Sequence, residues 1–522
     1  MMRVLLLSIL VLFQGVNNYF WLKQDNESLG TDVALHVNSA VSLRQGLKSI
    51  LHSEASLPQK CRSVRFLFFD NQVYWPRFVH LIAALTSFLP GDPLFWIRFS
   101  NMFYFIILII SVYLLGKKIH SPPAGLLAAC FISLYPGIFG LSRKFGLDFP
   151  LIAIVSLAMY FLISSDNFRN LRYSILFGLT SGLALLIKGQ FVFFLAGPFL
   201  YVVCKGFMDK DGKKKSIRNI LIIAFLALAI AMVWWYKMTS SMWGIYFRPT
   251  VASILPRFFI LAYYHMSPLF FAAFLLGFSF YIAGRKMPPV FLLLWIIVPF
   301  LLFSVLVIAN HERYIFPVFG ATALISAAGL LRFPLRKARV ALIAFFIFIG
   351  IAQFFMYSYI FESCRFFWMA HGPEQNNHRK VMDIFGRAMQ EYKPGGSCIG
   401  IIEEDYLRAD PAIRISYFLK LGSPENSVFL SADGYVTTYP SAYPTAKFRA
   451  SEDFLANINN FDFIVAFSQD SRRPEFWKQR ELSGNSEIDI LLEAEKTFRD
   501  FKVVKRNILM PEEIYVFLLK RQ

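Results

Sequence analysis

The chain has 522 residues, of which 56% are hydrophobic, and phenylalanine alone occurs 58 times. No single soluble domain looks like that, and runs of about 20 apolar residues mean membrane-spanning helices. The formal net charge of +19 is not a nucleic-acid signature, because the basic residues fall mostly in short loops between apolar runs, as they do in cytoplasmic loops of membrane proteins.

The first apolar segment covers residues 4–22. It lacks a small-x-small cleavage site and reads as an uncleaved anchor, although Asn17 and Asn18 interrupt it. A long loop of about residues 23–93 follows. Within it, Val33, Leu35, Val37, Val41, Leu43, Leu47 and Leu51 suit an amphipathic helix lying on the membrane from Asp32 to Leu51. Asp32 then sits at the N-cap or in the first turn, where Asp is favoured for purely structural reasons. Residues 76–90, bounded by Pro76 and Pro90, are short for a span and read as an interfacial or re-entrant helix carrying Arg77 and His80.

Ten further apolar segments follow at 94–116, 122–141, 149–164, 172–187, 190–204, 219–237, 262–284, 289–308, 315–331 and 338–359. With the anchor they make about eleven spans. The segments 172–187 and 190–204 form a tight hairpin around Ile187-Lys-Gly-Gln190. With the N-terminus inside, the inside loops hold sixteen basic residues, Lys117, Arg169, Lys213 and Arg336 among them, against three acids. If residues 76–90 spanned, every later loop would flip and the charge rule would be violated. This topology puts Asp32 and Asp148 on the same, external side.

Residues 361–522 are mixed and charged. Helical patterns at Val381–Tyr392, Ala412–Leu421 and Ile488–Phe498 alternate with strand patterns at Ser397–Ile402, Phe461–Phe467, Phe501–Val504 and Ile514–Leu519, which predicts a small external α/β domain. The expected organisation is therefore a transmembrane domain over 1–360 and a soluble domain over 361–522. The five cysteines show no CxxC or Cys/His ligand spacing.

A carboxylate beside hydrocarbon costs several kcal/mol and persists at an interface or for function. Asp32 and Asp148 are the two candidates. Asp148 also suits an N-cap for the helix starting at Phe149-Pro150. Arg143 and Lys144 stand on the external side against the charge rule. They either snorkel to headgroups or neutralise an anion such as a lipid phosphate. Arg77, Lys188, Arg248, Arg257, His311, Glu312 and Arg313 are further external or interfacial polar residues. The chain has no GxxxxGK[ST] phosphate loop, no HExxH, no GxSxG elbow and no evident inverted repeat.

Several stretches resemble the GT-C membrane glycosyltransferases, in the branch of the protein O-mannosyltransferases and lipid A aminoarabinose transferases. Gly30-Thr-Asp-Val-Ala-Leu-His-Val-Asn-Ser-Ala40 with Gly46 resembles a first-loop motif in which an acid opens a helix. His36 lies in that stretch. Trp75-Pro-Arg-Phe-Val-His80, Gly91 and Arg98 resemble the juxtamembrane helix and the Arg that begins the second span. Ser142-Arg-Lys-Phe-Gly-Leu-Asp-Phe-Pro150 resembles the second external loop. Gly182-Leu-Ala-Leu-Leu-Ile-Lys-Gly189 and Arg313-Tyr-Ile-Phe-Pro317 resemble later signatures. The first loop departs from the mannosyltransferases in having Asp-Val rather than Asp-Glu, and the juxtamembrane motif has one Pro rather than two.

The resemblance, over about residues 1–360, implies transfer of a sugar from a polyprenyl-phosphate carrier to a glycan, lipid or protein acceptor at the external face. Asp32 matches the catalytic acid of the first loop and Asp148 the acid of the second. Asp32 suits a general base, and Arg77, Arg143, Lys144 or Arg257 suit the phosphate charge. A divalent metal held by Asp32 and Asp148 is compatible with the chemistry but not required by it. Compact loops favour a bacterial inner membrane with the site and the C-terminal domain facing the periplasm. The competing readings are a transporter or flippase of lipid-linked glycans and a polymerase or ligase of whole glycan chains.

Overall fold

The computed structural model describes residues 2–25, 31–69, 76–209, 212–235, 260–283, 289–306, 312–361, 370–373, 378–392, 398–403, 428–431, 463–468, 501–509 and 514–521. It divides into two compact units. One comprises Met1–Gln24, Trp75–Ser87 and Leu94–Pro373, the other Asp25–Tyr74, Phe88–Pro93 and Glu374–Gln522.

The first unit is a helical bundle. It contains α1 (Met2–Gln24), α4 (Phe78–Thr86), most of α5 (Pro93–Phe99), α6 (Asn101–Ile119), α7 (Pro122–Leu134), α8 (Pro136–Arg143), α9 (Asp148–Ser164), α10 (Leu171–Leu185), α11 (Phe191–Met208) and α12 (Lys213–Trp235). A π turn (Leu261–His265), α13 (Pro268–Ala283), α14 (Val290–Leu306), a 3-10 helix (Glu312–Val318), α15 (Phe319–Leu330) and α16 (Arg336–Tyr359) complete it. Among the described residues, six helical stretches are long and apolar enough to cross a membrane, counting α5 with α6 and the 3-10 helix with α15 as one each, or up to seven if the bent α7–α8 pair is one span. Among the described residues, α9, α10, α13 and α14 are apolar but shorter. Within the described residues, every apolar segment expected from the sequence contains a helix, and by length and composition six or seven of them qualify as spans.

The segment 122–141 is not one straight helix. It bends by 62° at Tyr135–Pro136, because a proline has no N–H for the helical ladder and its ring clashes with the preceding turn. The segment 315–331 opens as a 3-10 helix containing Pro317 before it becomes α15. Residues 76–90 form only the 9-residue α4, about 14 Å of helix, too short to cross.

Small residues let helices approach closely where hydrocarbon supplies no hydrophobic drive. Gly116 of α6 lies against Gly125 of α7, and Gly277 of α13 against Gly329 of α15, with backbone where a methyl group would project.

The second unit contains α2 (Thr31–His52), α3 (Leu57–Phe69), α17 (His378–Tyr392) and a five-stranded sheet. The strands are β1 (Cys398–Glu403), β2 (Val428–Ser431), β3 (Phe463–Ser468), β4 (Phe501–Leu509) and β5 (Ile514–Arg521), in the order β2-β1-β3-β5-β4. β1 is parallel to β2 and β3, and β5 is antiparallel to β3 and β4. α17 buries Val381, Phe385, Ala388 and Met389, one face at helical spacing.

The strand β2 falls where no strand was expected, because Val428–Ser431 carries too little pattern to separate it from loop. α2 forms where expected, but Ala34, Val37, Ala40, Val41 and Leu43 are all buried while Leu51 is exposed. The expected helices at 412–421 and 488–498 lie outside the described residues.

Candidate functional site

Three connections of the bundle carry Lys144, Asp148, Lys188 and Arg313. The loop 144–147 leads into α9, residues 186–190 join α10 to α11, and the 3-10 helix precedes α15. Asp148 stands at the first position of α9, and Leu147, not Asp148, is the N-cap. Its carboxylate instead meets two cations. Lys188 Nζ donates to Oδ1 at 2.5 Å, and Arg313 Nε lies 2.9 Å from Oδ2. The three side chains are 12%, 10% and 8% exposed. Lys188 Nζ also sits 4.1 Å above the Tyr314 ring, a cation–π contact that gains strength where water is scarce.

Lys188 reaches this position because the α10–α11 hairpin turns there, with Lys188 N donating to Ala184 O and Phe191 N to Lys188 O. Arg313 and Tyr314 are delivered by the 3-10 helix, whose Phe316 ring packs 4.8 Å from the His265 ring of the π turn. Each nearby irregular backbone stretch is surrounded by buried side chains: Tyr135, Phe145, Leu147, Ile187, Tyr314 and Ile315. Non-helical backbone at membrane depth is tolerated under that condition.

Arg143 plays a different part from the one expected. It is 1% exposed. Its Nε donates to Asn18 Oδ1 and its Nη2 to Ser358 Oγ, both at 2.9 Å. Its guanidinium lies 5.0 Å from the Trp21 ring, 5.3 Å from Phe139 and 5.4 Å from Phe354. Side chains from α1, α8 and α16 therefore enclose it. Asn18 Nδ2 completes the cluster by donating to Ser142 Oγ at 2.9 Å, and Trp21 Nε1 donates to His371 O at 3.0 Å. Arg143 pins the first and last long helices of the bundle to α8.

Lys144 is buried too, and its carbonyl accepts from Asn101 Nδ2 at 2.9 Å. Arg77 is the half-buried N-cap residue of α4. His36 is buried on α2 in the second unit. Asp32 occupies the second position of α2, and its side chain lies outside the described ones, as do Arg257 and His311 entirely. The residues the structure brings together are Asp148, Lys188 and Arg313. The sequence reading gave no role to Asn101 or Ser358. The signal that could have found the network was Asn17-Asn18 inside the first apolar run, since polar side chains within spans face the bundle and pair there.

The donor set at Asp148 does not suit the metal considered from sequence. Both carboxylate oxygens face cationic donors, so a divalent ion at Asp148 would be brought against Lys188 and Arg313. Among the described residues, no group of three or more His, Cys, Asp or Glu side chains is placed to hold a metal. What the cluster can do is hold anionic oxygen. A planar guanidinium and an ammonium, one on each carboxylate oxygen, are the donor types that also bind phosphate.

Residues 75–236 match the family model described as dolichyl-phosphate-mannose-protein mannosyltransferase. No curated protein matches by sequence. Among solved structures, ArnT from Cupriavidus metallidurans superposes with a TM-score of 0.64 at 12% identity, covering 98% of this chain and 97% of that one. The same figures hold for ArnT bound to undecaprenyl phosphate. Archaeal oligosaccharyltransferase AglB from Archaeoglobus fulgidus, in complex with an inhibitory peptide and a dolichol-phosphate, gives 0.52 at 13% identity over 99% of this chain and 74% of that one. Arabinofuranosyltransferase AftD from Mycobacteria gives 0.53 at 11% identity over 99% and 40%. The chain is an integral membrane protein with the fold of the GT-C glycosyltransferases, and it resembles the branch that holds the protein mannosyltransferases and ArnT.

Proposed function

We propose that this protein transfers a sugar from a polyprenyl-phosphate-linked donor to an acceptor at the external membrane face. The observation that carries the reading is the convergence of Lys188 and Arg313 on Asp148, in a chain whose structural relative was solved with undecaprenyl phosphate bound. The eleven apolar helical segments, counting α7–α8 as one, span the bilayer in this reading. The connections that carry Asp148, Lys188 and Arg313 lie outside, as do Asp32 and the residues after 360.

The acceptor hydroxyl attacks the anomeric carbon from the face opposite the phosphate. The bond from that carbon to the phosphate oxygen breaks, and the lipid phosphate leaves with the electron pair. The hydroxyl proton passes to Asp32 as general base. Lys188 and Arg313 meet the negative charge as it grows on the leaving phosphate, a preorganised stabilisation that counts for more in a water-poor site than in solution. One displacement inverts the anomeric centre and needs no covalent intermediate.

The test is sugar transfer in purified membranes from a panel of radiolabelled polyprenyl-phosphate monosaccharides, comparing wild type with equally expressed Asp32→Asn. Transfer from one donor that vanishes in the variant supports the reading. Transfer that survives removes Asp32 as base and returns it to helix capping. No transfer from any donor moves the assignment to transport or to a larger lipid-linked donor.

A further inference from the structure

We propose that Asn101 and Arg98 are positioning residues for Asp148, acting through the backbone of the loop 144–147; the link to catalysis rests on the reading of the Asp148 cluster given above. The loop has four residues between α8 and α9, and it runs through buried surroundings, with Phe145 fully buried and Leu147 nearly so. Backbone carbonyls in such a place must find donors within the protein. Two side chains, Arg98 at the end of α5 and Asn101 at the start of α6, supply them. Arg98 Nε donates to Arg143 O at 3.1 Å, and Asn101 Nδ2 donates to Lys144 O at 2.9 Å. Both side chains are themselves buried, at 3% and 0% exposure.

These bonds immediately precede the residue that meets Lys188 and Arg313. The Arg143 side chain anchors the upstream end of the loop to Asn18 and Ser358, and the first turn of α9 anchors its downstream end through Leu151 N to Leu147 O. Between these anchors, the peptide planes of residues 143 and 144 set where Asp148 starts α9. A shift of either plane carries the carboxylate away from two short contacts that fix both of its oxygens. In these two bonds Arg98 and Asn101 hold the loop by its main chain, one and two residues into the turn that ends at Asp148.

The experiment follows acylation of Lys188 by acetic anhydride in the detergent-solubilised full-length protein, read by mass spectrometry. Maleimide reaction of Cys130, a free cysteine in α7, reports general loosening. Asp148→Asn is the positive control, because it removes the partner of Lys188. Removing the donor to a buried carbonyl leaves that acceptor unsatisfied, so Asn101→Leu and Arg98→Met are expected to raise Lys188 acylation roughly tenfold with Cys130 unchanged. Should either misfold on size-exclusion, Asn101→Ser, the mildest truncation, carries the same expectation.

Lys188 acylation at the wild-type rate in a folded variant overturns the proposal. So does an equal rise at Lys188 and Cys130, which would make the two residues merely structural. Turnover is read separately: the donor KM is expected to rise more than kcat falls. If the wild type transfers no sugar, the glycosyltransferase reading fails while the acylation rates still decide the positioning role.

Discussion

Lys188 and Arg313 divide the Asp148 carboxylate between them, one on each oxygen, at 2.5 and 2.9 Å. Lys188 arrives from a helical hairpin and Arg313 from a 3-10 turn well over a hundred positions later in the chain. The carboxylate is thus the point where three connections of the bundle are tied together.

Asp148→Asn should therefore cost stability as well as activity. Removing one partner of a buried ion pair leaves uncompensated charge, typically a loss of about 3–5 kcal/mol. The double variant Asp148→Asn/Lys188→Met should lose less than the sum of the two single changes, because it removes both partners of one contact. Thermal unfolding of the purified protein across this cycle gives the coupling. Additive losses would show that the contact contributes nothing.

Lys188→Met and Arg313→Met are expected to weaken donor binding. Hydrogen bonds to charged groups are worth about 1.5–3 kcal/mol each, so the donor KM should rise by roughly tenfold or more in each variant. Titration of undecaprenyl phosphate against each variant checks this directly. Unchanged affinity would mean that the lipid phosphate binds elsewhere.

Arg143→Lys is expected to fail as a conservative change. Lysine cannot place two nitrogens on Asn18 and Ser358 while lying flat among Trp21, Phe139 and Phe354. The variant should express as a less stable protein, with a melting temperature several degrees lower. A wild-type melting curve would show that this buried guanidinium is dispensable.

Gly329→Ala should be strongly disruptive, since its added methyl meets the backbone of Gly277. Backbone cannot swing aside as a flexible side chain can. Overpacking costs typically about 1–3 kcal/mol, occasionally more. Gly15→Ala, whose nearest neighbour is the terminal methyl of Met102 at 3.6 Å, should be close to neutral. Parallel melting curves of the two variants test the contrast.

His120, at the other end of α6, should give a pH signature. Burial and then the charge of Arg332 push its pKa down to about 4 from 6.5. A histidine whose folded pKa is depressed is more easily protonated when unfolded. Its contribution to stability is complete above about pH 6.5 and is lost as pH falls toward 4. Replacing it, as in His120→Gln, should flatten that part of the stability profile relative to wild type. Parallel profiles for the two proteins would dismiss the effect.

The membrane class and the helical segments were legible because hydrocarbon leaves few options. A segment that enters it must satisfy its own backbone, so an apolar run reads as a helix. The resemblance to glycosyltransferases was carried by short motifs, and the fold comparison supports it. Asp148 stood out as a carboxylate next to a span, and Lys188 and Arg313 as charges beside apolar runs. Yet nothing in the order Asp148, Lys188, Arg313 says that they meet, and Arg143 had the stronger case for phosphate on charge alone.

Local physics, acting over one turn or one span, is written in the sequence. Helix periods, the proline bend at Pro136 and the misfit of Asn17 and Asn18 in an apolar run all belong to it. Which side chains converge depends on how the helices pack, and that arises from many close approaches such as Gly277 on Gly329, separated by long stretches of chain. Packing turned Arg143 inward into an aromatic enclosure and brought Lys188 and Arg313 onto one carboxylate. Burial cost decides both outcomes: a charge removed from water must be met by donors, acceptors or opposite charge, and only the tertiary structure settles which ones are within reach.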